Sequence, residues 1–168
     1  DRFGLVTFES NARTILDPYT MGQNGYAKAK NSIATLGPSG GTNMAAGLEE
    51  GTRLIKSIPQ EDGIDRERRI IFLTDAMPNT GAVEQNDLYK IGKRNAEEGI
   101  HTTFIGVGVD FNTELVEALT KELRGANYYS IHSSHDFEKR LDIEFEYMVA
   151  PLVYDLTLKI EGGDYDIR

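Results

Sequence analysis

The feature of this 168-residue sequence that most constrains its fold is a nearly continuous apolar run in the segment RIIFLTD at positions 69–75. A continuous apolar run of this length is typical of a strand that is buried on both faces of a parallel sheet. Helical spacing of apolar residues precedes it at about 43–58 and follows it at about 85–98, and another apolar strand follows at 101–109. This alternation predicts an α/β fold with a doubly wound, mostly parallel sheet that carries helices on both faces.

The segments outside this alternation predict the remaining elements. FGLVTFE at 3–9 and ARTIL at 12–16 are rich in β-branched and aromatic residues and indicate a β-hairpin, which Asp17 and Pro18 are expected to close. A short helix is expected to end at Leu36, before a Gly-Pro pair. Further along, the same reasoning predicts a helix at 112–123, a strand at 127–131 and a last helix that begins at Ser133.

The composition excludes several classes of function. The 27 acidic and 18 basic residues give a net charge of −9, so a polyphosphate backbone would be repelled and nucleic acid is not an expected partner. The absence of cysteine excludes thiol catalysis, thiolate metal sites and disulfides. No apolar run approaches the ~20 residues that cross a bilayer, so no transmembrane segment is expected.

The loop GPSGGTNM at 37–44 is compatible with three kinds of site. It matches the G-x-S-x-G turn of a serine hydrolase around Ser39, and Asp110 followed by His132 or His135 has the matching chain order. That turn requires a strand before the serine, whereas the preceding residues have helical spacing. A phosphate-binding loop would require G-K-[ST], which is absent. A simple turn between two helices and one loop of a metal site remain, with the hydrolase as the alternative.

The metal-site interpretation depends on a second residue, Asp75. It ends the apolar strand and therefore lies at the carboxyl edge of the sheet, where open α/β folds bind their ligands. The hydroxyl of Thr42 and the carboxylate of Asp75 are hard oxygen donors, which suit Mg²⁺ or another hard divalent cation. An aspartate after a strand also commonly caps a turn, so neither residue defines a metal site alone.

Four segments together resemble the von Willebrand factor A (VWA) domain, namely the hairpin at 1–16, GGTNM at 40–44, FLTDAMPNTG at 72–81 and FIGVGVD at 104–110. The resemblance covers about residues 1–153, and residues 154–168 are expected to begin a following β module or a linker.

The VWA resemblance implies a protein-binding module and not an enzyme. Its metal-ion-dependent adhesion site (MIDAS) would hold a divalent cation, usually Mg²⁺ and otherwise Ca²⁺ or Mn²⁺, that accepts a carboxylate from a protein partner. The residues of this chain that match the family's metal ligands are Thr42 and Asp75. A structural VWA module without bound metal is a further alternative.

The resemblance also implies parts that the sequence does not contain. Family members open with a strand that ends in Asp-x-Ser-x-Ser and runs into a helix, and this sequence has no such segment. That strand would lie between FGLVTFE and RIIFLTD, so we expect an N-terminally truncated domain with two open strand edges and an incomplete metal site. Residues 145–160 are similar to the junction in bacterial surface and envelope VWA proteins, which favours a larger parent protein in an extracellular or cell-envelope location.

Overall fold

The structure is a computed structural model that describes residues 1–37, 40–59, 66–75, 81–108, 120–121, 123, 125–133, 135–139, 142, 145, 157 and 159. Its elements in chain order are β1 (Arg2–Phe8), β2 (Ala12–Thr20), α1 (Gln23–Ala34), α2 (Met44–Lys56), β3 (Arg68–Thr74), α3 (Gly81–Glu97), β4 (Ile100–Val107) and β5 (Asn127–Ile131). The helix predicted at 112–123 lies almost entirely outside the described residues. No helix in the described parts is both long and apolar enough to span a lipid bilayer.

The strands form two sheets. The antiparallel hairpin β1–β2 is one sheet, and the parallel strands β3, β4 and β5 form the other in that order. Helix α3 connects β3 to β4, as expected for a parallel crossover. The predicted hairpin, the parallel sheet and the α/β class are confirmed.

The end of the hairpin was predicted wrongly. Strand β2 does not stop at Asp17 and Pro18 but continues to Thr20, and it pairs Tyr19 with Phe3. Proline lacks the N–H that a central strand must donate, but it is tolerated on an edge strand or at a bulge. Both conditions hold here, because β2 pairs only with β1 among the described strands and the register shifts between Phe3 and Leu5.

Helix α2 packs against both sheets and holds them together. It contacts β1, β2 and β3 on one side and α3 on another. Its first turn is capped, because the side chain of Asn43 accepts the N–H of Ala46 at 2.9 Å. A Cβ at Gly47 would lie 2.7 Å from the ring of Phe8, so this glycine permits a close approach of α2 to β1.

The core lies between α2, α3 and the parallel sheet. The ring of Phe72 stacks on Phe8 at 4.8 Å between centroids, and the ring centroid of Phe104 lies 5.7 Å from that of Phe72. The buried members of this cluster are Met44, Leu48, Ile70, Phe72, Leu88, Ile91, Ile100, Phe104 and Leu123. The Phe8–Phe72 stack is notable because it joins β1 to β3, which belong to different sheets.

Among the described strands, β1 and β3 share no backbone hydrogen bonds. Within the described strands, β1 is hydrogen-bonded only to β2 and β3 only to β4. The expectation that a further strand belongs between β1 and β3 stays a prediction.

A buried polar pair fixes the packing of α2 on α3, and its removal gives a first prediction. The amide of Asn95 donates to the hydroxyl of Thr52 at 2.7 Å, and both residues are buried. In Thr52→Val the buried N–H loses its acceptor, so the free energy of unfolding should fall by about 1–3 kcal/mol in urea denaturation. The double variant Thr52→Val/Asn95→Leu should be less destabilised than the sum of the single variants, because it removes both polar partners. Additive losses would contradict this interpretation.

Candidate metal site

Thr42 and Asp75 line the same cavity. It has a volume of about 670 Å³ and lies where the carboxyl ends of β1 and β3 meet the loop before α2. The two residues come from separate loops, so the fold brings them together as the carboxyl-edge rule for α/β sheets predicts.

The loop that carries Thr42 is hydrogen-bonded to the turn between β1 and β2. The backbone N–H of Asn43 donates to the carbonyl of Glu9 at 2.6 Å, and its side-chain amide donates to the carbonyl of Ser10 at 3.3 Å. Gly41 adopts φ +84°, and a Cβ there would collide with the Ser10 side chain. Thr42 lies between these two fixed residues, so the position of its half-buried hydroxyl is set by the turn.

Asp75 is placed by the end of β3. Strand β3 pairs with β4 up to Thr74, which is buried, and the exposed Asp75 follows directly. Neither Asp75 nor Thr42 makes a side-chain hydrogen bond or ion pair within the described part of the chain. Both residues line the cavity in which a ligand would bind.

Two charged side chains that the sequence did not single out also line the cavity. Glu9 directly follows strand β1 and is half-buried, and Arg13 lies on β2 and is exposed. They line the cavity together with Asp75 because the hairpin turn packs against the loop before α2. No periodicity in the sequence indicates that contact.

The donor set fits a hard cation that keeps water. A threonine hydroxyl and a carboxylate are oxygen ligands of the kind that Mg²⁺ binds, and Mg²⁺ typically retains several waters. In the residues that the structure describes, no group of three or more His, Cys, Asp or Glu could hold a metal ion. Thr42 and Asp75 would therefore supply only part of a coordination shell.

The hydrolase alternative lacks the local structure that it requires. Helix α1, and not a strand, precedes the loop that contains Ser39. Ser39 and Asp110 lie outside the described residues. His132 and His135 are exposed, and neither lines the cavity that contains Thr42. His132 instead lies 3.3 Å from the hydroxyl of Ser130.

Comparisons with known proteins support the resemblance to the VWA domain. Residues 1–78 match the family model of the von Willebrand factor type A domain. Inter-alpha-trypsin inhibitor heavy chain H2 from Sus scrofa is 26% identical over 156 residues, which cover 91% of this chain and 17% of that protein. The chain thus resembles a small part of a much longer relative.

Solved structures of VWA proteins are also similar to this chain in fold. The von Willebrand factor type A structure from Catenulispora acidiphila has a TM-score of 0.69 at 18% identity and covers 88% of this chain and 34% of that one. Proximal thread matrix protein 1 from the mussel byssus, solved with a zinc-occupied MIDAS motif, has a TM-score of 0.57 at 20% identity. It covers 88% of this chain and 35% of that one. These findings confirm the resemblance to the VWA family and the predicted fold class.

Proposed function

We propose that this chain, which has the von Willebrand factor type A fold, is a protein-binding module and not an enzyme. Thr42 and Asp75 would hold a divalent cation, preferably Mg²⁺, and the cation would accept a carboxylate from an acidic residue of the partner protein. The observation that carries this proposal is that both residues line one cavity.

The chemistry of the cavity supports a bound cation. The carboxylate of Asp75 brings negative charge to the rim, and the hydroxyl of Thr42 is a neutral oxygen donor. A divalent cation held by so few protein groups keeps exchangeable positions that an outside carboxylate can take. The cation would supply a strong and directional electrostatic contact to the partner.

The net charge of the chain is a second reason to propose a bound cation. At −9, the protein repels an acidic partner over most of its surface, so an acidic residue needs a local positive charge to bind. The cation would provide that charge, and Arg13 at the same cavity would add a second one. We expect the chain to act as one domain of a larger parent protein, as in the longer relative that it resembles.

A test with the metal alone uses Mn²⁺, which occupies sites of the same oxygen chemistry and broadens nearby NMR signals. Addition of Mn²⁺ should selectively broaden the amide signals of Gly41, Thr42 and Asp75, and EDTA should restore them. Asp75→Asn should abolish this broadening because it removes the charged ligand.

A matched control is Asp87→Asn, which removes one acidic group from α3, where Asp87 faces Lys90 at 3.7 Å and does not line the cavity. It should leave the broadening unchanged. Broadening that is spread over the acidic surface and survives Asp75→Asn would refute the metal site. That result would favour a structural VWA module without metal.

A further inference from the structure

The side chain of Arg13 faces the cavity of the candidate metal site because of its position on β2. Its neighbour Thr14 faces α2, since the hydroxyl of Thr14 donates to the carboxylate of Glu50 at 2.6 Å. Successive side chains of a strand point to opposite faces, so Arg13 and Ile15 share the face that turns away from α2. Both residues line the cavity, and Arg13 is exposed there.

Arg13 gives the cavity a positive charge that the rest of the protein surface opposes. Among the described residues that line the cavity, Arg13 is the only basic one, and Glu9 and Asp75 are acidic. The whole chain carries a net charge of −9, so its general field repels acidic ligands. A divalent cation held by Thr42 and Asp75 would be one local positive charge, and the guanidinium of Arg13 is another in the same cavity.

These two positive charges cannot be fully used by a single carboxylate. Arg13 lies on the hairpin, and Asp75 directly follows β3 of the parallel sheet, so the two residues come from different sheets. A guanidinium binds a carboxylate best through two parallel N–H···O hydrogen bonds, which use both carboxylate oxygens. A carboxylate with one oxygen bound to the cation has only one oxygen left for Arg13. Full use of both charges therefore requires two carboxylates.

We propose that Arg13 is a second anchor for the partner protein and that the cavity selects partner segments with two acidic residues. One carboxylate would bind the cation at Thr42 and Asp75, and the other would pair with the guanidinium of Arg13. In an extended segment, alternate side chains lie on the same face about 7 Å apart, so acidic residues at alternate positions present both carboxylates to the cavity together. This inference rests on the proposed function, because the first carboxylate requires the bound cation.

The experiment compares the binding of two synthetic peptides to the full chain by NMR titration at saturating Mg²⁺. The diacidic probe is acetyl-Gly-Asp-Gly-Asp-Gly-amide, and the monoacidic probe has asparagine in place of the second aspartate. The unmodified chain should bind the diacidic probe about fivefold more tightly, which is the upper end of the range for an exposed ion pair. In Arg13→Gln this preference should disappear, apart from the statistical advantage of a peptide that has two carboxylates.

The matched control is Arg53→Gln, which removes the same charge from a residue that lies on α2. Arg53 pairs there with Glu50 at 2.7 Å and does not line the cavity. This variant should retain the fivefold preference for the diacidic probe. The proposal is overturned if the unmodified chain binds both probes alike, if the preference survives Arg13→Gln, or if Arg53→Gln abolishes it to the same extent.

Mn²⁺ broadening separates a failure of this inference from a failure of the proposed function. If Mn²⁺ broadens the signals of Thr42 and Asp75 in the unmodified chain and both probes bind alike, only the second anchor at Arg13 is refuted. If Mn²⁺ gives no broadening at these residues, the metal site and the second anchor are refuted together. A preference for the diacidic probe that persists in EDTA also overturns the inference, because neither carboxylate would then be bound to a cation.

Discussion

Replacement of Phe72 by alanine is expected to lower the free energy of unfolding by about 3–5 kcal/mol, the range for truncation of a buried phenylalanine. This residue is 4% exposed and contacts the rings of Phe8 and Phe104. A typical domain has a total stability of about 5–15 kcal/mol, so the variant should lose a large share of it. Urea denaturation followed by circular dichroism measures the change.

The neighbouring residue provides a matched control. Leu73 lies on the same strand but on the opposite face and is 43% exposed, so Leu73→Ala should cost less than about 1 kcal/mol. Phe72→Ala should also accelerate amide exchange in β1 more than in β4, because β1 and β3 share a ring stack but no backbone hydrogen bonds. If Phe72→Ala and Leu73→Ala lower the free energy of unfolding equally, the Phe8–Phe72 stack does not join the two sheets.

Much of the fold was predictable because its signals are local. The apolar run that forms β3 and the helical spacing of α2 can be read from short windows of sequence, and the cap at Asn43 depends only on residues in the same turn. The error at Pro18 shows the limit of such rules. Whether a proline ends a strand depends on whether that strand lies at an edge, and this is a property of the assembled sheet.

The candidate site was predictable only in part. The carboxyl-edge rule and the VWA resemblance together placed Asp75 and Thr42 at one rim, and the structure brings both to one cavity. The sequence did not predict that Glu9 and Arg13 line the same cavity. Their position depends on a contact between the hairpin turn and the loop before α2. That contact involves backbone groups of Glu9 and Ser10, which carry no residue-specific signal.

The loop geometry at Gly41 gives the last prediction. Gly41→Ala should weaken Mn²⁺ binding by about tenfold, which corresponds to about 1.4 kcal/mol. The residue adopts φ +84°, which is unfavourable for any side chain, and an added Cβ would collide with the Ser10 side chain. To relieve the collision, the loop must move away from the hairpin turn, and Thr42 is the next residue along the loop.

The adjacent glycine separates this effect from a general effect of alanine in the loop. A Cβ at Gly40 would meet no atom within 4 Å, so Gly40→Ala should leave Mn²⁺ affinity unchanged. Both variants are compared by Mn²⁺ titration and by thermal unfolding, because strain at Gly41 should lower stability as well as affinity. If Gly41→Ala destabilises the protein but binds Mn²⁺ as tightly as the unmodified chain, the position of Thr42 does not govern the metal site. The cation would then have to be held by Asp75 together with groups other than the Thr42 hydroxyl.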